Sequence, residues 1–275
     1  MQIDAHQHFW KFDPVRDAWI DDSMRVLQKD FLPEDLIPLL QANQIDGCIA
    51  VQADQSEEET QFLLKLAEKY SEIKAVVGWI DLLNLKVEDR LAYFSEFKKL
   101  KGFRHIVQAE PKGFMLTPEF QNGLSKLAKF GFIYEILVYA HQLPDAIEIV
   151  QKHPEITFLL DHLGKPNVKT KEIELWQKNI SQLAQFPNVH CKISGLITEA
   201  DWSSWTYEQF VPYLDIITKE FGPDRMLFGS DWPVCLVAGE YEATVDLVKN
   251  YISKFSAEEQ ASIMSKNAVE LYNLK

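Results

Sequence analysis

The sequence predicts an α/β protein built as a (β/α)8 TIM-type barrel, and three observations carry that expectation. Short β-rich apolar runs alternate eight times with longer stretches of helical periodicity, the order required by parallel strands joined through crossover helices. The length of 275 residues suits one barrel, which typically takes about 250, so 1–275 is expected to form a single domain. No GxGxxG follows the first strand, which removes the main argument for an open dinucleotide-binding sheet.

The first strand is QIDAHQHF (2–9). Residues i and i+2 of a strand share a face, so His6 and His8 project side by side, as a metal or anion site would need. The second, DGCIAVQA (46–53), ends at Gln52. An amphipathic stretch over 57–70 follows, with Phe62, Leu63, Leu66 and Ala67 at helical spacing, and then KAVVGWIDL (74–82). Strand four, LKGFRHIVQ (100–108), brings Arg104, His105 and Gln108 to its end. Strand five, FIYEILVY (132–139), contains no histidine, but Glu135 and Tyr139 are candidates to project inward and His141 follows just beyond. His153-Pro154 and Phe186-Pro187-Asn188 stop helices ahead of the next two strands. ITFLLDHLG (156–164) presents Asp161 and His162. VHCKISGL (189–196) carries Lys192, whose stem is expected to pack along the barrel wall. RMLFGSDW (225–232) ends in Ser230, Asp231 and Trp232.

In such barrels chemistry gathers at the C-terminal ends of the strands. A buried carboxylate there must be paired, hydrogen-bonded or metal-bound, and the histidines are its natural partners. Trp10 and Trp232 adjoin this region, whereas Trp19, Trp176, Trp202 and Trp205 are expected to pack. His153 and His190 fall toward the opposite end and are expected to be structural.

A formal charge of −13 without a basic cluster argues against nucleic acid and anionic membrane as partners. Three cysteines without CxxC spacing suggest neither a disulfide framework nor a thiolate zinc site, and fit a reducing cytoplasm. Asp4 and His6 interrupt the first apolar run and no basic segment precedes it, so no signal peptide is expected. No run approaches the ~20 apolar residues of a membrane span.

Together HQH, GFRH, DHLGKP, KISGL and FGPDRMLFGSDWP resemble the amidohydrolase superfamily, in its sugar-lactone hydrolase branch. The resemblance covers nearly the whole chain and implies a (β/α)8 barrel that hydrolyses at a carbonyl carbon. It assigns His6 and His8 to the first-strand pair, His162 to the sixth-strand histidine, Asp231 to the eighth-strand aspartate, and Arg104 with His105 to the fourth-strand element. Binuclear members carry a bridging lysine where this chain has Arg104 and His105. The resemblance therefore implies no metal or one divalent ion, zinc or manganese, on His6, His8 and Asp231.

A lactone is an activated ester, so hydrolysis needs a base for water and a donor for the developing oxyanion. Asp231 is the expected base and His162 the expected polarising group. Arg104, His105, Gln52, Gln108, His141, Trp10 and Trp232 are expected to bind substrate, a small neutral sugar lactone of L-fucono or L-rhamnono type. A metal-dependent decarboxylase, a dicarboxylate-lactone hydrolase and a non-catalytic binding barrel are the alternatives. The chain lacks GxSxG, against a serine esterase. Monomer and homodimer are both compatible with the sequence.

Overall fold

The computed structural model describes residues 1–274. Eight parallel strands stand in chain order: β1 Ile3–Gln7, β2 Gly47–Val51, β3 Ile73–Gly78, β4 Leu100–Ile106, β5 Ile133–Leu137, β6 Phe158–Leu160, β7 Val189–Ile193 and β8 Met226–Phe228. The β1 and β8 ends close the ring through a parallel bridge between Gln7 and Trp232. His8 N–H donates to the Trp232 carbonyl (2.7 Å) and Asp231 N–H to the His6 carbonyl (2.8 Å).

Crossover helices run between and after the strands: α1 Pro33–Ala42, α2 Glu57–Lys69, α3 Val87–Ser95, α4 Pro118–Lys126, α5 Leu143–Lys152, α6 Glu174–Leu183, α7 Tyr207–Phe221 and α8 Tyr241–Ile252. The expected stretch over 57–70 becomes α2. Ser56 caps it by accepting from Glu59 N–H (3.2 Å), Glu57 to Glu59 favour the positive end of its dipole, and Leu63, Leu64 and Ala67 face the sheet. No helix among the described residues is long and apolar enough to cross a membrane.

The barrel's interior is a packed layer of Ile3, Ala5, Ile49, Val51, Ala75, Val77, Ile133, Leu159 and Leu227. Tyr272, from the segment following α8, plugs it from the side where the strands begin. Neighbouring Asn267 fixes that plug by donating to the Pro223 and Met226 carbonyls, both at 2.7 Å.

β6 and β8 are shorter than the sequence suggests. After Leu160 and Phe228 the chain leaves the ladder, and His162 and Asp231 adopt left-handed backbone (φ +52° and +59°). Non-glycine residues occupy that region at a cost of about 1–3 kcal/mol, and such residues gather at functional sites.

Candidate active site

The site begins with an irregularity in β1. Ile3 pairs with Gly47 and Asp4 with Cys48, but the next partner pair is Gln7 with Ala50, so β1 carries one extra residue. Strict alternation would put His6 and His8 on the face opposite Ile3 and Ala5. The bulge resets the phase, so the interior receives Ile3 and Ala5 and then the two imidazoles. Gly229 makes the space, since a Cβ there would lie 2.6 Å from His6 Cβ.

Asp231 Oδ1 faces three imidazoles at once: His8 Nε2 at 3.5 Å, His6 Nε2 at 3.8 Å and His162 Nε2 at 4.0 Å. Burial pushes its carboxyl up, yet His162 and His8 outweigh burial and hold it below its ordinary value, so it is ionised at neutral pH. Burial dominates at His6 and His162, holding both well below the usual imidazole range. Nδ1 of His8 lies 2.8 Å from the Val51 carbonyl and must donate to it, which turns its Nε2 toward His6 Nε2 (3.2 Å) and Asp231 Oδ1. His162 Nδ1 meets the Ser194 hydroxyl at 2.9 Å. Gly195 (φ +62°) passes so close that a Cβ would stand 2.5 Å from the same nitrogen.

Beneath these groups lies a buried ionic floor. Asp161 faces Arg104 Nη1 at 3.0 Å, Lys192 Nζ at 3.1 Å and His6 Nδ1 at 3.4 Å. Lys192 also meets Glu135 at 2.6 Å, and Tyr272 donates its hydroxyl to the other oxygen of Glu135. Lys192 thus does more than pack along the wall: its ammonium, fully buried, bridges two carboxylates, one of which Arg104 also pairs.

A pocket of about 690 Å³ opens above, and His8, Trp10, Arg104, Gln108, His162 and Asp231 line it as the sequence leads one to expect. His6 is fully buried behind them. Four expected substrate-binding residues lie outside its lining. His105 neighbours Arg104 on β4, so the two point to opposite faces. It stacks on Phe114 and meets Glu110 at 2.8 Å. Gln52 is buried behind Arg104, bonded to its carbonyl and guanidinium. Trp232 packs edge-on against Phe9 and Phe31, and His141 stacks on Tyr139 in solvent. Conversely Trp19 and Trp202, expected as packing, line the pocket, together with Arg16, Asp17, Lys165 and Glu199. Of these four only Lys165 belongs to one of the motifs that carry the resemblance, DHLGKP.

Residues 3–274 match the family described as Amidohydrolase. The chain belongs to the amidohydrolase family. This amidohydrolase is 38% identical over its whole length to the L-fucono-1,5-lactonase of Burkholderia multivorans, covering 96% of that protein. It is 30% identical to the L-fucono-1,5-lactonase of Burkholderia ambifaria, with 99% of this chain and 96% of the relative covered. An amidohydrolase from B. multivorans solved with bound zinc superposes with a TM-score of 0.97 at 38% identity, each chain covered fully.

The residues present in this amidohydrolase fit a divalent metal ion. Ligand atoms of His6, His8 and Asp231 all lie within 4.8 Å of one another, two imidazoles and a carboxylate. A second grouping, His6 with Asp161 and His162, fits less well. Both Asp161 oxygens already face cations, Arg104 Nη1 at 3.0 Å and Lys192 Nζ at 3.1 Å, which supply fixed positive charge where a second ion would be repelled.

Proposed function

We propose that this enzyme hydrolyses a neutral sugar lactone of the L-fucono or L-rhamnono type to the free aldonic acid, by attack of water on the ring carbonyl. The observation that carries the proposal is the ionised Asp231 held against three imidazoles in the wall of a pocket large enough for a six-carbon ring. The two full-length L-fucono-1,5-lactonase relatives support the choice of reaction.

Asp231 orients the water and takes its proton as the oxygen adds to the carbonyl. Held by the Ser194 hydroxyl at its Nδ1, His162 turns Nε2 to the pocket and donates from it to the developing oxyanion. The Arg104 guanidinium adds positive charge at the same end of the pocket. When the tetrahedral adduct collapses, the ring C–O bond breaks and protonated Asp231 returns its proton to the departing ring oxygen. A divalent ion, proposed as zinc or manganese, would supply Lewis acidity that polarises the carbonyl and acidifies water. Trp10 and Trp202 offer apolar faces to the C–H side of the sugar. The free, buried thiols of Cys48, Cys191 and Cys235 suit a reducing compartment, and we propose a cytoplasmic enzyme.

Hydrolysis in ¹⁸O-water tests the chemistry. The label is expected in the carboxylate of the product. Label in the ring-derived hydroxyl, or carbon dioxide release without lactone opening, would exclude it.

A further inference from the structure

Away from Asp231, the pocket wall carries two ion pairs. Arg16 grips Asp17 through two bonds of 2.7 Å, and Lys165 Nζ lies 2.7 Å from Glu199 Oε1. Lys165 is the more secluded of these two cations. Its side chain is 17% exposed, against 37% for that of Arg16, so its charge is screened less by solvent. Lys165 stands on left-handed backbone (φ +48°) fixed by its N–H on the His162 carbonyl (2.8 Å), which aims the side chain into the same pocket as Asp231. Lys169 N–H bonds the Glu199 carbonyl (3.1 Å), tying the two loops that supply the pair.

The charge around the pocket decides what this pair can do. Among the described residues three cations line it, Arg16, Arg104 and Lys165, and each already faces a carboxylate. Asp54 lines it in addition, so no cation of the wall is left over for an anion. An ammonium bonded to one carboxylate oxygen keeps two N–H donors, and the carboxylate keeps acceptor capacity beside it. A donor and an acceptor side by side match two adjacent hydroxyls, each of which both donates and accepts.

We propose that the Lys165–Glu199 pair determines specificity: it reads neighbouring hydroxyls of a neutral sugar lactone, and Glu199 cancels the charge with which Lys165 would otherwise admit a ring-carboxylated lactone. This rests on the lactonase reading above. Removing the charge of Glu199 while keeping its shape frees Lys165 for a substrate carboxylate. Removing Lys165 abolishes the donor without creating an anion site.

The test compares wild type, Glu199→Gln and Lys165→Met, each confirmed folded by circular dichroism, on L-fuconolactone and a carboxylated muconolactone. In Glu199→Gln the ratio of kcat/KM values is expected to move at least tenfold toward the carboxylated lactone, with the loss on L-fuconolactone residing mainly in KM. In Lys165→Met, KM for L-fuconolactone rises and the carboxylated lactone gains nothing. A shift below tenfold in Glu199→Gln, or an equal gain in Lys165→Met, overturns the proposal. Calorimetric binding of muconate reads the same pair without turnover, and Glu199→Gln is expected to bind it at least tenfold more tightly than wild type. Wild type that opens no lactone contradicts the lactonase reading alone, whereas unchanged muconate affinity contradicts the role of the pair. Should Glu199→Gln fail to fold, Lys165→Met decides: an unchanged KM for L-fuconolactone overturns the proposal.

Discussion

Ser230 donates both its backbone N–H (2.9 Å) and its hydroxyl (2.6 Å) to Asp4, joining the last strand of the barrel to the first. Tyr241 adds a third bond to the same carboxylate at 3.1 Å. Asp4 itself is displaced to the outer face by the phase of β1. Its hold on Ser230 places the next residue, Asp231, beside His6 and His8. The base and the imidazole pair are thus positioned by one buried carboxylate that touches neither the pocket nor the substrate.

Asp231→Asn is expected to lower kcat by about a thousandfold or more while the protein stays folded. Asparagine keeps the volume and, among residues with a side chain, is one of those that tolerate the left-handed backbone at this position, but it cannot take a proton from water. Steady-state kinetics with circular dichroism checks this. Activity within a few-fold of wild type would remove Asp231 from the role of base.

Metal content follows from the cations around Asp161. With Arg104 and Lys192 facing both its oxygens, at most one divalent ion per chain is expected. Elemental analysis of the purified protein checks the number, and two tightly held ions would contradict the fixed-charge account. Chelation is expected to abolish activity, and readdition of zinc or manganese to restore it.

Lys192→Met is expected to destabilise the protein by about 3–5 kcal/mol, because it leaves Glu135 and Asp161 buried without their ammonium. Adding Glu135→Gln should recover part of the loss, since burial already pushes that carboxyl up to about 7. Urea denaturation measures both. A loss under about 1 kcal/mol would show that Lys192 does not hold the floor together.

Glu59 predicts a pH dependence. Burial, opposed by bonds from Ala53 and Asp54 N–H, pushes its carboxyl from 4.5 up to about 7. The folded state therefore holds this proton more tightly than the unfolded chain. The stability it contributes is fully present below pH 4.5 and is lost as pH rises through about 7. Glu59→Gln remains neutral and keeps an acceptor for Ala53 N–H. Relative to wild type it should gain up to about 3 kcal/mol between those limits, seen as a melting-temperature difference that widens with pH. A difference independent of pH would contradict the shift.

Much of this architecture is legible in the sequence, and the exceptions share a cause. All eight strands, the shared face of His6 and His8, and the tips bearing Asp161, His162 and Asp231 follow from local patterns that a strand must display. The bulge in β1 does not, because one inserted residue changes the phase without changing the composition. Nor does the separation of Arg104 from His105, although strict alternation on β4 contains it. Lys192, Lys165 and Glu199 acquire their meaning only from partners far along the chain. Trp19 and Trp202 differ from the packing tryptophans only in where their loops lie.

The most direct test of the central claim is proton release measured across a panel of lactones. The account predicts that six-carbon neutral aldonolactones of the L-fucono, L-galactono or L-rhamnono type are hydrolysed with the highest kcat/KM. Carboxylated muconolactones should be poor substrates, as expected for a pocket whose cations are already paired. Hydrolysis of a carboxylated muconolactone at least tenfold more efficiently than every neutral sugar lactone, a gap of about 1.4 kcal/mol in transition-state binding, would contradict it.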